Sequence, residues 1–387
     1  MQIIACLLAS GTQLGLRRMS DSAADNPSLS LDRLKTIFKN HFRPLTIKKA
    51  TECLVNATKA LPVFKHFQME RELLHASCDG QRFQTLYETP KSQHCKKYFG
   101  QGKGVVAYTL VGWLPLISRI IDRDGESNYV VDLLLKNGSD INPDRISTDN
   151  HGINNVNYAL LDLLGYYFAP RYAKLNRKLA NLYSIDPVKQ FSECIIKPTH
   201  RINTDRLIDE WDNIQRIIVS LSLGYCDQKT LVKKFNKSKR GDPTMQALWD
   251  LNHIIRTNYI LNYIDDASLR RFVTRSLNRG EHYHSLRRML SNLHGSKFRS
   301  RNDLEIELAN DCSVLLSNCI IYYNTVLLNQ LWLSGGPDQR RIIESISPIG
   351  WQHLQMTGSY DFSGITAQTS LRDFVKGLNL AEVIGPQ

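Results

Sequence analysis

The spacing of apolar residues changes along the chain, and it predicts different secondary structure in successive segments. The first 70 residues carry helical spacing. β-branched and apolar runs follow, and they predict strands around a candidate turn at Asp79-Gly80. The predicted helices cover 31–38 and 50–61, and the predicted strands cover 73–79, 83–87, 104–111, 116–121, 145–148 and 168–172.

Helical spacing returns between the later strands and then dominates. One helix is predicted over 129–136, and an amphipathic helix is predicted over 153–164. Strands in succession followed by strand–helix alternation predict a mixed α/β sheet. After residue 181 nearly all of the chain has a 3.6-residue period. The helices predicted there cover 208–222, 245–264, 268–292 and 304–333.

The charge of the chain favours a polyanionic partner. The 387 residues include 49 Lys+Arg against 37 Asp+Glu, which gives a net charge of +12, and 42% of them are apolar. This composition excludes wholesale disorder, and the surplus charge favours nucleic acid first and an anionic membrane surface second. The segment 229–240 holds six basic residues and no acid, and 270–301 holds nine with Glu281 as the only carboxylate.

Other classes of protein are disfavoured by the sequence. Serine and amide side chains interrupt the longest uncharged stretch, 312–337, so it predicts a buried core helix rather than a membrane span. The N-terminal apolar run has no basic segment before it, and the expected location is cytoplasmic. Eight scattered cysteines without a CxxC pair predict reduced thiols and no zinc site. The glycine-rich segment 100–104 precedes β-rich sequence, which disfavours a nucleotide cradle.

Three acidic residues stand out, although each has an ordinary explanation. Asp79 lies in an otherwise apolar strand, where an Asp-Gly hairpin turn is an equal alternative. Asp149 follows a strand and precedes a helix, a position that also suits an N-cap. Glu281 lies in the basic helix, where a lone glutamate is usually a surface residue. Together, two carboxylates at strand ends and one from a helix can converge on a pair of Mg²⁺ ions, the arrangement that serves phosphodiester chemistry.

A series of motifs along the chain resembles the Tn-three family of replicative transposases. The resemblance is colinear from about residue 5 to residue 362. The motifs are HASCDGQRF (75–83), GVVAYTLV (104–111), ISTDNHGINNVNYALLDLLGYYFAPRY (146–172), WDNIQRI (211–217), LNRGEHYHSLRR (277–288), IIYYNTVLL (320–328) and ISPIGWQHL (346–354).

The resemblance implies an α/β fold, an RNase H-like mixed sheet core that carries a DDE triad, with a large helical insertion before the glutamate. The family's first aspartate, in a small-residue–Asp-Gly-Gln motif, falls on Asp79. Its second, in Ser-Thr-Asp-x-His-Gly, falls on Asp149, and its glutamate, in Asn-Arg-Gly-Glu-x-Tyr-His, falls on Glu281. Cys78 stands where a smaller residue is expected, and a compact apolar thiol should be tolerated there.

The same resemblance implies an activity and its partners. The family's triad binds two Mg²⁺ ions, for which Mn²⁺ substitutes. It nicks the 3′ ends of the transposon's terminal inverted repeats and joins them to target DNA. The expected partners are therefore DNA and, in the active assembly, a second copy of the chain. The implied location is the bacterial cytoplasm, in association with the nucleoid, and no membrane partner is expected.

Periodicity and resemblance together imply five segments. They are a helical N-terminal segment (1–70), the core with the two aspartates (71–180), the helical insertion (181–270), the catalytic-Glu helix with a core helix (271–334) and a C-terminal segment (335–387). The family carries a long N-terminal region that recognises the inverted repeats. We therefore expect this chain to be the C-terminal catalytic portion of a split, truncated or decayed transposase. A catalytically incompetent remnant that binds DNA or dimerises with an intact transposase is the alternative.

Residues next to the triad are candidates for contacts with DNA. His284 and Arg288 lie three and seven positions after Glu281 and share its helix face, so we expect them to contact phosphates. A salt-bridged surface stripe is the alternative for this face. The further candidates are Gln81, Arg82, His151, Arg279 and Arg287.

Overall fold

A mixed β-sheet lies at the centre of the protein. The structure is a computed structural model, and it describes residues 1–23, 26–67, 73–122, 125–237, 241–293, 295, 297–352, 360 and 362. The end of the basic segment, 238–240, and most of the C-terminal segment lie outside the described residues. The strands are β1 (His75–Thr85), β2 (Gln93–His94), β3 (Lys103–Val111), β4 (Pro115–Ile121), β5 (Arg145–Thr148), β6 (Tyr167–Phe168), β7 (Tyr183–Ser184), β8 (His200–Arg201) and β9 (Lys297–Phe298).

Helices precede, interrupt and follow the strands. The α-helices are α1 (Gln2–Gly11), α2 (Leu16–Ser22), α3 (Leu31–His41), α4 (Pro44–Lys59), α5 (Lys96–Phe99), α6 (Val130–Leu135), α7 (Asn157–Leu163), α8 (Leu175–Leu179), α9 (Thr204–Asp209), α10 (Trp211–Ser222), α11 (Gln228–Lys237), α12 (Pro243–Asp265), α13 (Ala267–Asn292), α14 (Asp303–Ser334) and α15 (Pro337–Ser345). Short 3₁₀ helices lie at Pro27–Leu29, Pro62–Phe67, Glu126–Asn128, Asn150–Gly152 and Val188–Phe191.

The strand β1 is central, and the direction of its neighbours differs on its two sides. On one side β3 pairs antiparallel to β1, and β4 pairs antiparallel to β3. On the other side β5 pairs parallel to β1, and β6 pairs parallel to β5. The main order is therefore β4-β3-β1-β5-β6, with β2 added to β3, β9 added to β1, and β7 paired with β8 apart from this sheet. This arrangement confirms the predicted mixed α/β sheet.

The Asp79-Gly80 pair lies inside a strand rather than in a turn. β1 runs without interruption through both residues, and they pair with Thr109 and Tyr108 of β3. The predicted break in the strand is therefore wrong, and so is the hairpin alternative. The reason is nonlocal, since pairing with a neighbouring strand outweighs the local preference of glycine for turns.

Side chains of β1 alternate between two helical layers. Cys78 is 1% exposed and belongs to a core cluster shared with α6 and α7. Phe83 packs on the opposite face in a cluster with residues of α14. On that face the Ser77 hydroxyl also donates to the Ser276 carbonyl of α13, at 3.0 Å. Burial raises the pKa of the Cys78 thiol, so this thiol behaves as the compact apolar group that the sequence predicts.

The long helix α14 crosses the core of the protein. Among the described residues it is the one helix long and apolar enough to span a membrane, yet 67% of its most apolar window is buried. It packs against β4 and against α1 and α4. Its Asn318 amide donates to the Pro115 carbonyl at 3.0 Å, and its Asn324 amide donates to the Pro348 carbonyl at 2.8 Å. The predicted buried core helix is confirmed, and its amides bond backbone groups inside the protein.

The segment between β6 and α13 holds α8 to α12, and it attaches to the sheet layer through α12. The Asn252 side-chain oxygen of α12 accepts the N–H groups of Tyr158 and Ala159 at 3.0 and 3.4 Å. Both N–H groups belong to the first turn of α7. The Tyr259 hydroxyl donates to the Pro170 carbonyl at 2.7 Å. This segment is thus joined to the sheet layer by buried hydrogen bonds.

Replacing Asn252 with alanine should lower the free energy of unfolding by about 1–2 kcal/mol, because the first turn of α7 loses a buried acceptor. Urea titration measures this change. Asn258→Ala, at an exposed position of the same helix, is the matched control and should change the free energy by less than about 0.5 kcal/mol. Equal effects would show that Asn252 does not join α12 to α7.

Candidate active site

One open cleft collects side chains from several separate parts of the chain. It encloses about 520 Å³ beside the middle of β1. Its walls come from β1, α5, the turns that follow β4 and β5, and α13. The lining residues are Asp79, Gly80, Gln81, Arg82, Tyr98, Glu126, Asp149, His151, Glu281, His284 and Arg288.

Asp79 and Asp149 reach the cleft together because β1 and β5 are parallel neighbours. Cys78 is in register with Thr148, the last residue of β5, so Asp79 inside β1 lies beside Asp149, the residue that follows β5. Neighbouring parallel strands keep their residues in step, so the residues that follow a registered pair are also neighbours. The strand pairing therefore sets the two carboxylates side by side, although 70 positions separate them in the sequence (149 − 79).

Asp149 has two roles in the structure. Its Oδ1 accepts the His151 N–H at 2.8 Å and caps the short helix Asn150–Gly152. The same carboxylate also lines the cleft. The N-cap explanation and the cleft position thus apply to one residue, and the cap fixes the direction of its side chain.

A further carboxylate, which the sequence pattern did not indicate, lies next to the two aspartates. Glu126 follows β4 and is 8% exposed. One ligand oxygen each of Asp79, Glu126 and Asp149 lie within 4.8 Å of one another. The Arg82 Nη2 atom is 3.7 Å from Glu126 Oε1. Carboxylate oxygens in this arrangement match the ligands that hard divalent cations such as Mg²⁺ prefer.

Gly80 leaves the space that the Glu126 carboxylate occupies. A Cβ atom added at position 80 would lie 2.3 Å from Glu126 Oε1 and 3.0 Å from a methyl carbon of Val106. Any larger residue would therefore have to displace the carboxylate. A glycine inside a strand often marks such a close approach. This glycine is the one signal in the sequence that could have pointed to a buried partner.

Burial and nearby negative charge raise the pKa of Asp79 and of Glu126. Burial raises the pKa of Asp79 to about 6, and the charges of Asp149 and Glu281 add to the increase. Burial also raises the pKa of Glu126 to about 7, with further contributions from Asp79 and Asp149. The charge of Arg82 opposes both increases. A bound divalent cation would reverse this effect by favouring the ionised carboxylates, so the donor set fits such an ion.

Glu281 faces the same cleft from α13. Its side chain is exposed, and its charge contributes to the raised pKa of Asp79. Its carboxylate does not belong to the group of three that lies within 4.8 Å. One helical turn later, His284 Nδ1 is 3.6 Å from Asp79 Oδ2. The three carboxylates predicted from the sequence thus line one cleft, and Glu126 rather than Glu281 completes the close group with the two aspartates.

His284 and Gln81 connect the helix to the strand. Burial lowers the pKa of His284 to about 3, and the charges of Arg287 and Arg288 add to this effect. The ring is therefore neutral near pH 7 and interacts with Asp79 as a polar group. The Gln81 amide donates to the His284 backbone carbonyl at 2.8 Å. This bond fixes α13 against β1 two residues after Asp79.

The residues predicted to contact DNA divide into two groups. Those that line the cleft are Gln81, Arg82, His151, His284 and Arg288. Arg287 is 1% exposed, with its guanidinium 4.8 Å from the Phe83 ring centre. Arg279 lies 3.1 Å from the Trp113 ring centre, and burial lowers its pKa to about 9. The structure does not bring these two to the cleft, because positions two before and six after Glu281 point to other faces of a helix.

Comparison with known proteins matches nearly the whole chain to one family. The family model described as the Tn3 transposase DDE domain matches residues 1–360. The transposase for transposon Tn2501 of Escherichia coli is 28% identical over 364 residues, which cover 92% of this chain and 36% of that protein.

Two further relatives show the same coverage. The transposase for transposon gamma-delta of Escherichia coli (strain K12) is 27% identical over 387 residues, 98% of this chain and 38% of the relative. The transposase for transposon Tn501 of Pseudomonas aeruginosa is 28% identical over 367 residues, which cover 92% of this chain and 36% of that protein. The chain thus spans less than two fifths of the length of these relatives.

Gly80→Ala should lower the free energy of unfolding by about 1–3 kcal/mol, because the new methyl group overlaps the Glu126 carboxylate. In a protein that already carries Glu126→Ala the same substitution should cost less, with a coupling free energy of about 1 kcal/mol or more. Urea unfolding of the four proteins measures the coupling. Gly112→Ala is the control, since the nearest atom to an added Cβ there is 3.8 Å away. Additive effects at positions 80 and 126 would contradict the contact.

Proposed function

The chain belongs to the Tn3 transposase DDE domain family, and on that premise we propose that it is the catalytic region of a transposase that cuts and joins DNA strands. The observation that carries the proposal is the meeting of Asp79, inside the central strand, with Asp149, which follows the neighbouring strand, in a cleft that Glu281 also lines. Phosphodiester chemistry on two metal ions uses carboxylates in this way. The proposed reaction is nicking at the 3′ ends of the inverted repeats and transfer of those ends into target DNA.

The sheet order supports an RNase H-like core. Three antiparallel strands, β4, β3 and β1, continue into two parallel strands, β5 and β6, around a long central strand. We propose the five segments with their boundaries at 70, 180, 270 and 334. The segment 181–270 then contains α9 to α12 and separates the two aspartates from the helix of Glu281.

We propose that Asp79 and Asp149 hold two Mg²⁺ ions together with Glu281, with Mn²⁺ as a substitute. Glu126 lies close enough to the aspartates to act as a further oxygen ligand. The ions, when bound, supply charge that activates a water or 3′-hydroxyl nucleophile and stabilises the leaving oxygen. The protein's part is to hold the carboxylates in place despite their repulsion, through the strand register and the Asp149 cap.

The proposed roles of the neighbouring residues follow from their places in the cleft. Arg82, His151 and Arg288 are proposed to contact the phosphates on either side of the scissile bond. His284, with its neutral ring, is proposed to orient Asp79, and Gln81 to position α13. The proposed partners are the transposon ends, target DNA and a second copy of the chain, in association with the bacterial nucleoid.

Asp149→Asn should reduce the joining of pre-nicked transposon ends in Mg²⁺ or Mn²⁺ by at least about a hundredfold, since one ligand charge is lost while the shape of the side chain remains. Gel separation of joined and unjoined strands measures the yield. Asp265→Asn, at an exposed position of α12, is the control and should join strands as the parent protein does.

Two results would count against this proposal. Unchanged joining by Asp149→Asn would remove the aspartate from the reaction. Binding of DNA by all the proteins without joining by any of them would favour the alternative of a catalytically incompetent remnant.

Glu126→Gln should weaken binding of Mn²⁺ by about tenfold, because an oxygen ligand next to the aspartates loses its charge. Isothermal titration calorimetry of the protein with MnCl₂ measures this dissociation constant without any DNA. Glu193→Gln, at an exposed position, is the matched control. An unchanged dissociation constant in Glu126→Gln would limit the metal site to the DDE residues.

A further inference from the structure

A second groove opens beside the candidate active site, and its lining is basic. It encloses about 460 Å³ between the turn after β5, the α8 region and α12. Four of its lining residues are the cations Lys174, Arg177, Lys178 and Arg256, four are asparagines, and none is a carboxylate. The formal charge of the lining is therefore +4. None of these cations belongs to the basic segments 229–240 and 270–301 that the sequence indicates.

The groove adjoins the cleft at the turn that follows β5. Asp149 and His151 line the cleft, whereas Asn150, between them, lines the groove together with Asn154 and Asn155. Consecutive Cα atoms are about 3.8 Å apart, so the groove begins one residue away from a proposed metal ligand. The cleft and the groove are thus lined by consecutive residues of a single turn.

In the part of the chain that the structure describes, the cations of the groove are not paired with acidic neighbours. Within the described ranges, none of the four lies within 4.0 Å of a carboxylate oxygen. Arg256 instead donates through Nη2 to the Asn181 carbonyl at 2.9 Å. The Lys178 ammonium lies 5.7 Å from the Tyr172 ring centre. Contacts with a carbonyl and an aromatic ring hold these side chains in place and leave their charge available to an anion.

The asparagines of the turn after β5 have different tasks. The Asn154 side chain accepts the N–H groups of Val156 and Asn157 and donates to the Ser127 carbonyl, so it maintains the shape of the turn. Asn150 and Asn155 are exposed, and their amides have no hydrogen-bond partner among the residues that the structure describes. Such amides can donate to and accept from sugar and base edges.

We propose that this groove binds the phosphodiester backbone of the DNA strand that continues from the scissile phosphate. That the bound anion is DNA rests on the proposed function. That it binds in this groove rests on the charge and position of the lining residues. Repeated phosphates match several unneutralised cations along one path, and the uncharged amides match the less charged sugar and base edges. An acidic protein segment would use the cations but would leave no task for Asn150 and Asn155.

The test compares the double variant Lys174→Gln/Arg177→Gln with the parent protein. The probes are a fluorescein-labelled single-stranded oligonucleotide and the same sequence as a duplex, in CaCl₂, with binding followed by anisotropy over a series of salt concentrations. Loss of two phosphate contacts should reduce the slope of log K against log [salt] by about 1.4 for the single strand and about 1.8 for the duplex. The dissociation constant should rise by about tenfold or more at low salt.

The matched control removes two cations elsewhere. Arg33 and Lys39 are exposed on α3, a helix that lines neither the cleft nor the groove. Arg33→Gln/Lys39→Gln should keep the salt slope of the parent protein. Asn155→Asp provides a second groove variant without loss of a cation, and the added negative charge should also weaken DNA binding. Thermal unfolding of each protein shows that the fold is retained.

Failure of this inference and failure of the proposed function give different results. If the parent protein joins strands and both groove variants bind DNA with its affinity and salt slope, the groove proposal is overturned and the function stands. If the groove variants lose affinity while no protein joins strands, the groove stands and the function fails. Equal loss of affinity in the groove and control variants would also overturn the proposal. So would displacement of the labelled DNA by polyglutamate added at the same concentration of negative charge as the DNA.

Discussion

Repulsion among carboxylates that share one cleft is the constraint on which the rest of this structure depends. Asp79, Glu126 and Asp149 come within 4.8 Å of one another, and the charge of Glu281 acts on Asp79 as well. The raised pKa values of Asp79 and Glu126 show that burial and this crowding disfavour the ionised forms. Side chains in such a group move apart unless their backbone holds them. The candidate site therefore depends on the strands and helices that carry it.

That scaffold is built from a few nonlocal contacts. The parallel register of β1 and β5 sets the two aspartates side by side. Ser77 and Gln81 of β1 donate to the carbonyls of Ser276 and His284, which lie on either side of Glu281 along α13. These two bonds fix the helix against the strand at both ends of the site. Behind them, α14 closes the sheet face with a buried apolar surface.

The distribution of charge in space differs from its distribution in the sequence. The segment 270–301 contains nine basic residues, but Arg287 is buried and Arg279 lies on Trp113. Part of the +12 charge is therefore directed into the protein, where each of these two guanidinium groups lies over one aromatic ring. The groove beside the cleft takes its charge from 174–178 and from Arg256, which the sequence separates widely. A search for runs of basic residues cannot find a surface assembled in this way.

The sequence by itself determined the elements with strong periodicity and the residues inside specific motifs. It predicted the mixed sheet, the buried helix α14 and the three carboxylates Asp79, Asp149 and Glu281, because these depend on local spacing or on motif identity. Only the tertiary structure decided that Asp79-Gly80 lies in a continuous strand and that Glu126 lies above that glycine. Both outcomes depend on which distant segment packs against β1. Pairing and packing between remote segments leave little trace in the local spacing of residues. The sequence could therefore draw attention to Gly80, but it could not identify Glu126 as the residue that packs against it.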